Sequence, residues 1–239
     1  MTDKLNIDFS NIPEYDWADL YYLTYELDIS LSSIKESIAY NDQLIESKRN
    51  ELKQFIAKDE YLQSDEKDEF KAQYYHQHFE HAERAIGDLE NTLFNSSILT
   101  VFAVFESKMK YLCELIEDET KSKPKHTDLK FSNGDIGKFI KYLTSVFGLT
   151  QKKSNTFIQT ILKFKTVRNK IAHQNSKISS SELVNVKTLK NLKIENHSES
   201  HKILISSSSF VLEFIDTVDK YYQELVKEVD VRMKELKRH

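Results

Sequence analysis

The sequence predicts an all-α protein: a helical bundle with a long N-terminal helical hairpin and a small β-hairpin before the last helix. Three observations predict it. Four glycines and two prolines in 239 residues, against a usual Gly plus Pro share of roughly 12%, leave too few turn formers for a sandwich or barrel of many short strands. Long stretches carry neither residue and repeat their apolar side chains at helical spacing. Hydrophobic residues at 39% and charged residues at 30% exclude both a disordered chain and a membrane-embedded one.

The first element runs from Tyr15 to about Lys58. Leu31, Ile38, Ile45 and Leu52 recur every seven residues beside Leu20, Leu27 and Ile34, which is a heptad seam. Asn41 and Lys48 fall where the second seam position should be apolar, so this helix is expected to pack on its own chain or one partner and to run into solvent near its end. A polar stretch around Gln63 to Glu69 supplies the turn, and a second long helical region is expected from about Ser64 to Glu117, broken near Gly87 or Asn95. A loop follows over Asp118 to Asn133, with Pro124 inside it. Two helices are then expected, Asp135 to Phe147 and Ser154 to His173, with Gly148 stopping the first. Leu192 to Glu195 and Lys202 to Ile205 cluster β-formers around a polar turn and predict the hairpin. Ser206 to Ser209 can cap a last helix through Val211, Phe214, Val218, Tyr222, Leu225 and Val229.

The lone cysteine, Cys113, closes neither an intrachain disulfide nor a cysteine-based zinc site, and Met1 to Ser10 lacks the basic start and apolar run of a secretory signal. A cytoplasmic address is expected. The most apolar run, Ile98 to Phe105, is far short of the roughly 20 residues that span a bilayer, so no membrane association is expected.

Charge is spread unevenly. The formal net charge is −4, yet from Ile136 to Ser181 there are nine basic residues and no carboxylate. Such a stretch inside an acidic protein suits an anion-facing surface, and nucleic-acid phosphate is the commonest large anion it would meet. Lys152, Lys153, Lys163, Lys165, Lys170 and Lys177 are the candidate nucleic-acid contacts; the plainer reading is that these lysines solvate two amphipathic helices.

Inside this stretch lies Arg168-Asn169-Lys170-Ile171-Ala172-His173. On a helical wheel of roughly 100° per residue, Phe157, Ile161, Phe164 and Ile171 fall within about 60° of Arg168. A guanidinium on an apolar stripe demands an acid or a bound anion. Asn169 and His173 are four apart and therefore neighbours on the adjoining flank. Glu106 is placed in the same way among Leu99, Phe102, Met109 and Cys113, and the two stranded charges are expected to face each other.

Arginine, a polar residue, three more residues and histidine near the end of a helix resembles the signature of the HEPN (higher eukaryotes and prokaryotes nucleotide-binding) family, in which arginine is followed by four to six residues and histidine. Arg168, Asn169 and His173 match its shortest spacing, and the resemblance covers roughly Thr92 to Tyr222. It divides the chain into an N-terminal hairpin extension, 1–91, and a HEPN-like helical domain, 92–239. It implies a metal-independent endoribonuclease, needing no cofactor, whose two copies form a composite cleft in a homodimer. Such proteins act as toxins beside an antitoxin, as abortive-infection effectors against phage, or as RNA-processing enzymes. The residue types suit the chemistry. An imidazole titrates near 6.5 when unperturbed and can move a proton, and a guanidinium forks onto phosphate. Arg168, Asn169 and His173 would carry the reaction, with Glu106 tuning or bracing them.

Other chemistry finds less support. His76, His78, Glu80 and His81 share helix faces at ligand spacing, but no further ligand cluster accompanies them, and a hydrated face is expected. Glycine-rich phosphate loops and nucleophile elbows are absent from the sequence. Two other readings stay open: a catalytically inactive RNA-, nucleotide- or protein-binding module, and a helical interaction protein that works through Tyr15 to Lys58.

Overall fold

The computed structural model describes residues 15–58, 69–130, 134–150, 154–196 and 201–238. Its helices are α1 (Ala18–Lys58), α2 (Glu69–Thr120), α3 (Gly134–Lys141), α4 (Asn155–Gln174), α5 (Ser180–Val186) and α6 (Ser208–Lys237), with strands β1 (Lys177–Ile178), β2 (Lys193–Asn196) and β3 (His201–Leu204). This is the expected all-α architecture with a small sheet before the last helix. The turn expected around Gln63 to Glu69 lies almost wholly outside the described residues.

The chain forms two compact units. The first is drawn from within Met1–Ile29, Glu106–Asn155 and Lys220–His239, and the second from within Ser30–Phe105 and Thr156–Asp219. Both take residues from either side of position 91.

In the first unit Trp17, Leu20, Leu23 and Leu27 of the α1 region are buried, as are Met109, Leu112 and Ile116 of α2 and Tyr221, Tyr222 and Leu225 of α6. Polar tethers anchor this packing: the Trp17 backbone N–H donates to Asp230 Oδ1 (3.2 Å) and the Tyr222 hydroxyl to the Lys108 carbonyl (3.1 Å). Helix α3 runs into a π-helical turn, Tyr142–Val146. There the Phe147 N–H donates to the Tyr142 carbonyl and the Leu149 N–H to the Leu143 carbonyl. Gly148, at φ +83°, makes the stop the sequence predicts, because a left-handed residue after a helix strains any side chain.

In the second unit the heptad seam is the buried face of α1 as far as Ile45, with Leu31, Ile34 and Ile38 beneath it. Beyond that Lys48 is exposed and Leu52 only half-buried, so the seam opens to solvent as its polar interruptions predict. The later part of α1 meets earlier residues of α2, Arg49 with Glu90 (2.8 Å) and Phe55 with Phe79 (ring centroids 6.2 Å apart), which makes the pairing antiparallel. Phe94, Phe102 and Phe105 of α2, Phe164 of α4 and Phe210 and Phe214 of α6 form the centre, all fully buried.

Helix α2 differs from expectation in passing Gly87 and Asn95 without a break. Gly87 faces solvent, and a β-carbon there would meet nothing within 4 Å. Hydrogen bonding and the packed faces on either side of it outweigh the propensity penalty of one glycine. Gly87→Ala is therefore expected to stabilise the protein by about 0.5–1 kcal/mol, read as a higher urea midpoint with an unchanged slope.

The hairpin is one strand larger than expected. β3 pairs with β2, Lys193 opposite Leu204 and Asn196 opposite His201, and on its other edge with β1, Lys177 opposite Lys202. Ile178 and Ile203 point inward while Lys177 faces out. Two residues are too short a run to show alternation, so β1 has no signal in the sequence. Ser207 begins α6 as the serine run predicts, its hydroxyl accepting from the Ser209 N–H (3.2 Å).

Candidate functional site

The candidate residues of α4 belong to the second unit, and Glu106, half-buried on α2, belongs to the first. Helix α4 is held by a buried stripe of Ile158, Ile161, Phe164 and Val167, with the Phe164 ring against Phe214 (4.5 Å) and Phe210 (5.1 Å). Lys170 continues that stripe.

Arg168 is half-buried, and its Nη1 donates to Asn169 Oδ1 (3.1 Å). With its oxygen engaged, the Asn169 amide offers its NH2 as a donor. His173 is exposed in the last turn of α4. Asn169 and His173 both line an open cleft of about 430 Å³, together with Thr166, Lys170, Gln174 and Glu182. The helical spacing thus brings amide and imidazole to one solvent-open concavity, with the guanidinium bonded to that amide.

The lysines fall into different settings. Lys177 is exposed on β1; Lys163 is half-buried, and its Nζ donates to Thr188 Oγ1 (3.0 Å); Lys165 is half-buried; Lys152 and Lys153 lie outside the described residues. Lys170 departs from the expected role. It is 5% exposed, and its ammonium donates to Glu182 Oε1 (2.5 Å) and Gln174 Oε1 (2.8 Å). The acid-free stretch ends one residue before Glu182. The chain folds that acid back onto Lys170, because a buried ammonium demands a counter-charge.

Glu182 is the site residue missing from the sequence reading. Its signal was present: Ser179 and Glu182 have the spacing of a capping box, which predicts a helix start. In the structure the box closes, the Glu182 N–H bonding to Ser179 Oγ while Glu182 Oε2 accepts from the Ser179 N–H (3.3 Å) and hydroxyl (2.6 Å). The Lys170 ammonium, and then Ser179, hold the Glu182 carboxyl down at about 2 from an ordinary 4.5. The folded state therefore binds this proton less readily than the unfolded chain. The linked stability is present above about pH 4.5 and is lost as pH falls toward 2. The melting-temperature difference between the wild type and Glu182→Gln is expected to shrink across that window.

The titratable groups buried in the first unit are poised differently. Burial, followed by Glu117 and Glu114 nearby, pushes the Cys113 thiol up, so it stays protonated and unreactive. Burial likewise raises the Tyr142 phenol to about 12, opposed by its hydrogen bond with Ser122 (2.6 Å). His126 and Glu117 are buried together, Nδ1 lying 2.8 Å from Oε1, with the His126 backbone N–H donating to the same oxygen. That pair ties the loop after α2 to the helix it leaves. His76, which contacts Glu80 (3.5 Å), sits on an exposed face. Among the described residues no group of three or more His, Cys, Asp or Glu could hold a metal ion, and no helix is long and apolar enough to cross a membrane.

No family model, curated protein or solved structure matches this chain.

Proposed function

We propose that the protein is a metal-independent endoribonuclease, acting in the cytoplasm as a homodimer with a composite active site and serving as a toxin or anti-phage effector held in check by a partner protein. The observation that carries this reading is the cleft on α4, where Asn169 and the exposed His173 share one wall and Arg168 is bonded to Asn169. In the proposed reaction a ribose 2′-oxygen attacks the adjacent phosphorus as its proton passes to a base. The bond to the 5′-oxygen breaks, and that oxygen takes a proton from an acid. The products are a 2′,3′-cyclic phosphate and a 5′-hydroxyl.

His173 supplies the proton-transfer group, and Arg168 with the Asn169 NH2 supplies donors for the charge that grows on the phosphoryl oxygens. A neutral imidazole accepts a proton while a charged one donates it. One histidine cannot do both in the same step, whereas two copies across a two-fold axis can. Among the described residues Lys163, Lys165 and Lys177 are the other candidate lysines for attracting the RNA backbone, since Lys170 is committed to Glu182.

That commitment favours a second reading, an RNA- or nucleotide-binding module without catalysis, because it spends one cation of the cleft on an internal acid. Incubating the purified full chain with labelled RNA in EDTA separates the two. Cyclic-phosphate products support the nuclease. Binding that weakens steeply with salt but yields no product supports the module.

A further inference from the structure

The last turn of α4 carries His173, and the chain reverses immediately after it. Asn175 and Ser176 both adopt left-handed backbone, at φ +48° and +61°. Two successive non-glycine residues in that region are costly, so the surroundings must hold them there. What holds them is visible on both sides of Lys170. Its carbonyl accepts from the Ser176 N–H (2.9 Å), and the Ser176 carbonyl in turn accepts from the Ile203 N–H (2.9 Å) in β3. Its side chain is 7% exposed, and the ammonium reaches Gln174 in the same turn and Glu182 in the next helix. Glu182 is bound at its other oxygen by Ser179, which starts α5. One side chain thus links the turn bearing His173 to the helix that follows it, three residues before His173 and one after Asn169.

We propose that Lys170 and Glu182 are positioning residues: their ion pair fixes the final turn of α4, and with it the placement of His173 relative to Asn169 across the cleft. The proposal rests on the nuclease reading for its catalytic consequence but not for its structural one. A pair kept only for stability could be replaced by apolar side chains of similar size at little cost, because an ion pair buried at Lys170 and open to water at Glu182 contributes little net stability. A positioning pair cannot be so replaced, because a displacement of about 1 Å costs up to roughly 10²-fold in rate.

The test uses the full chain in three forms: wild type, Lys170→Met with Glu182→Met, and Lys170→Arg. Amide hydrogen exchange over residues 171–176 and steady-state RNA cleavage are measured on each. In the double variant, exchange is expected to accelerate about tenfold or more and kcat to fall at least about tenfold with KM within about twofold. Lys170→Arg, which keeps the charge, is expected to retain most of both. Unchanged exchange in the double variant overturns the proposal, as does accelerated exchange with full kcat, which would leave the pair a merely structural contact. Should the double variant fail to fold, Lys170→Met alone carries the same comparison, since the Glu182 side chain is 41% exposed and water can solvate it. A wild type that does not cleave RNA removes the nuclease reading by itself, and the exchange measurement then decides whether the pair holds the turn.

Discussion

Alanine at position 173 is expected to slow RNA cleavage by about 10²–10⁴-fold, the usual range for losing a positioned proton-transfer group, while leaving the melting temperature unchanged. His173 is exposed at the end of α4 and lies outside its buried stripe, so its removal opens no cavity. Arg168→Lys should also lose activity despite keeping the charge. A lysine ammonium is a point donor and cannot engage phosphate in two places while reaching Asn169. Cleavage in EDTA that is indifferent to both substitutions would sink the proposed function. A fall in rate accompanied by an equal fall in stability would show only that α4 had been disturbed, which is why the two are measured together.

Phe214→Ala should have the largest effect on stability, about 3–5 kcal/mol, lowering the melting temperature by roughly 10 °C for a chain of this size. Phe214 is fully buried, 4.6 Å from the Phe102 ring of α2 and 4.5 Å from the Phe164 ring of α4. Truncation removes the contacts of both partners and leaves a void that rigid aromatic neighbours close poorly. Because Phe164 lies on the buried stripe of α4, activity is expected to fall at temperatures where the protein is still folded. Phe214→Leu, which refills much of the space, should recover more than half of the loss. Equally small effects for the two variants would mean that the site collapses freely and that α4 does not depend on this ring.

Elements with strong periodicity were readable from their own residues. The seam from Leu20 to Ile45 and the point at which Lys48 turns it to solvent both follow from spacing, as do the stop at Gly148 and the serine cap of α6. Local signals mislead where the surroundings override them. Gly87 looks like a break but lies inside 52 continuous helical residues, since packing along the rest of α2 carries the helix through. β1 is visible only when β3 is beside it. In the site, the spacing of Asn169 and His173 placed them together correctly. Lys170 reads as a surface cation from the sequence because its partner lies twelve residues away, beyond the reach of any helical spacing rule.

The sequence by itself determined the fold class, the long N-terminal helix with its buried seam, and the joint placement of Asn169 and His173 on one flank of α4. Each of these depends on residues within a few turns of one another, and helical geometry fixes what such residues share. The tertiary structure alone decided that Lys170 is withdrawn from solvent and that Glu182 lines the cleft with His173. Burial of a charge depends on what the folded chain brings against it, and the cost of an unpaired ammonium selects the partner only once the chain has closed around it.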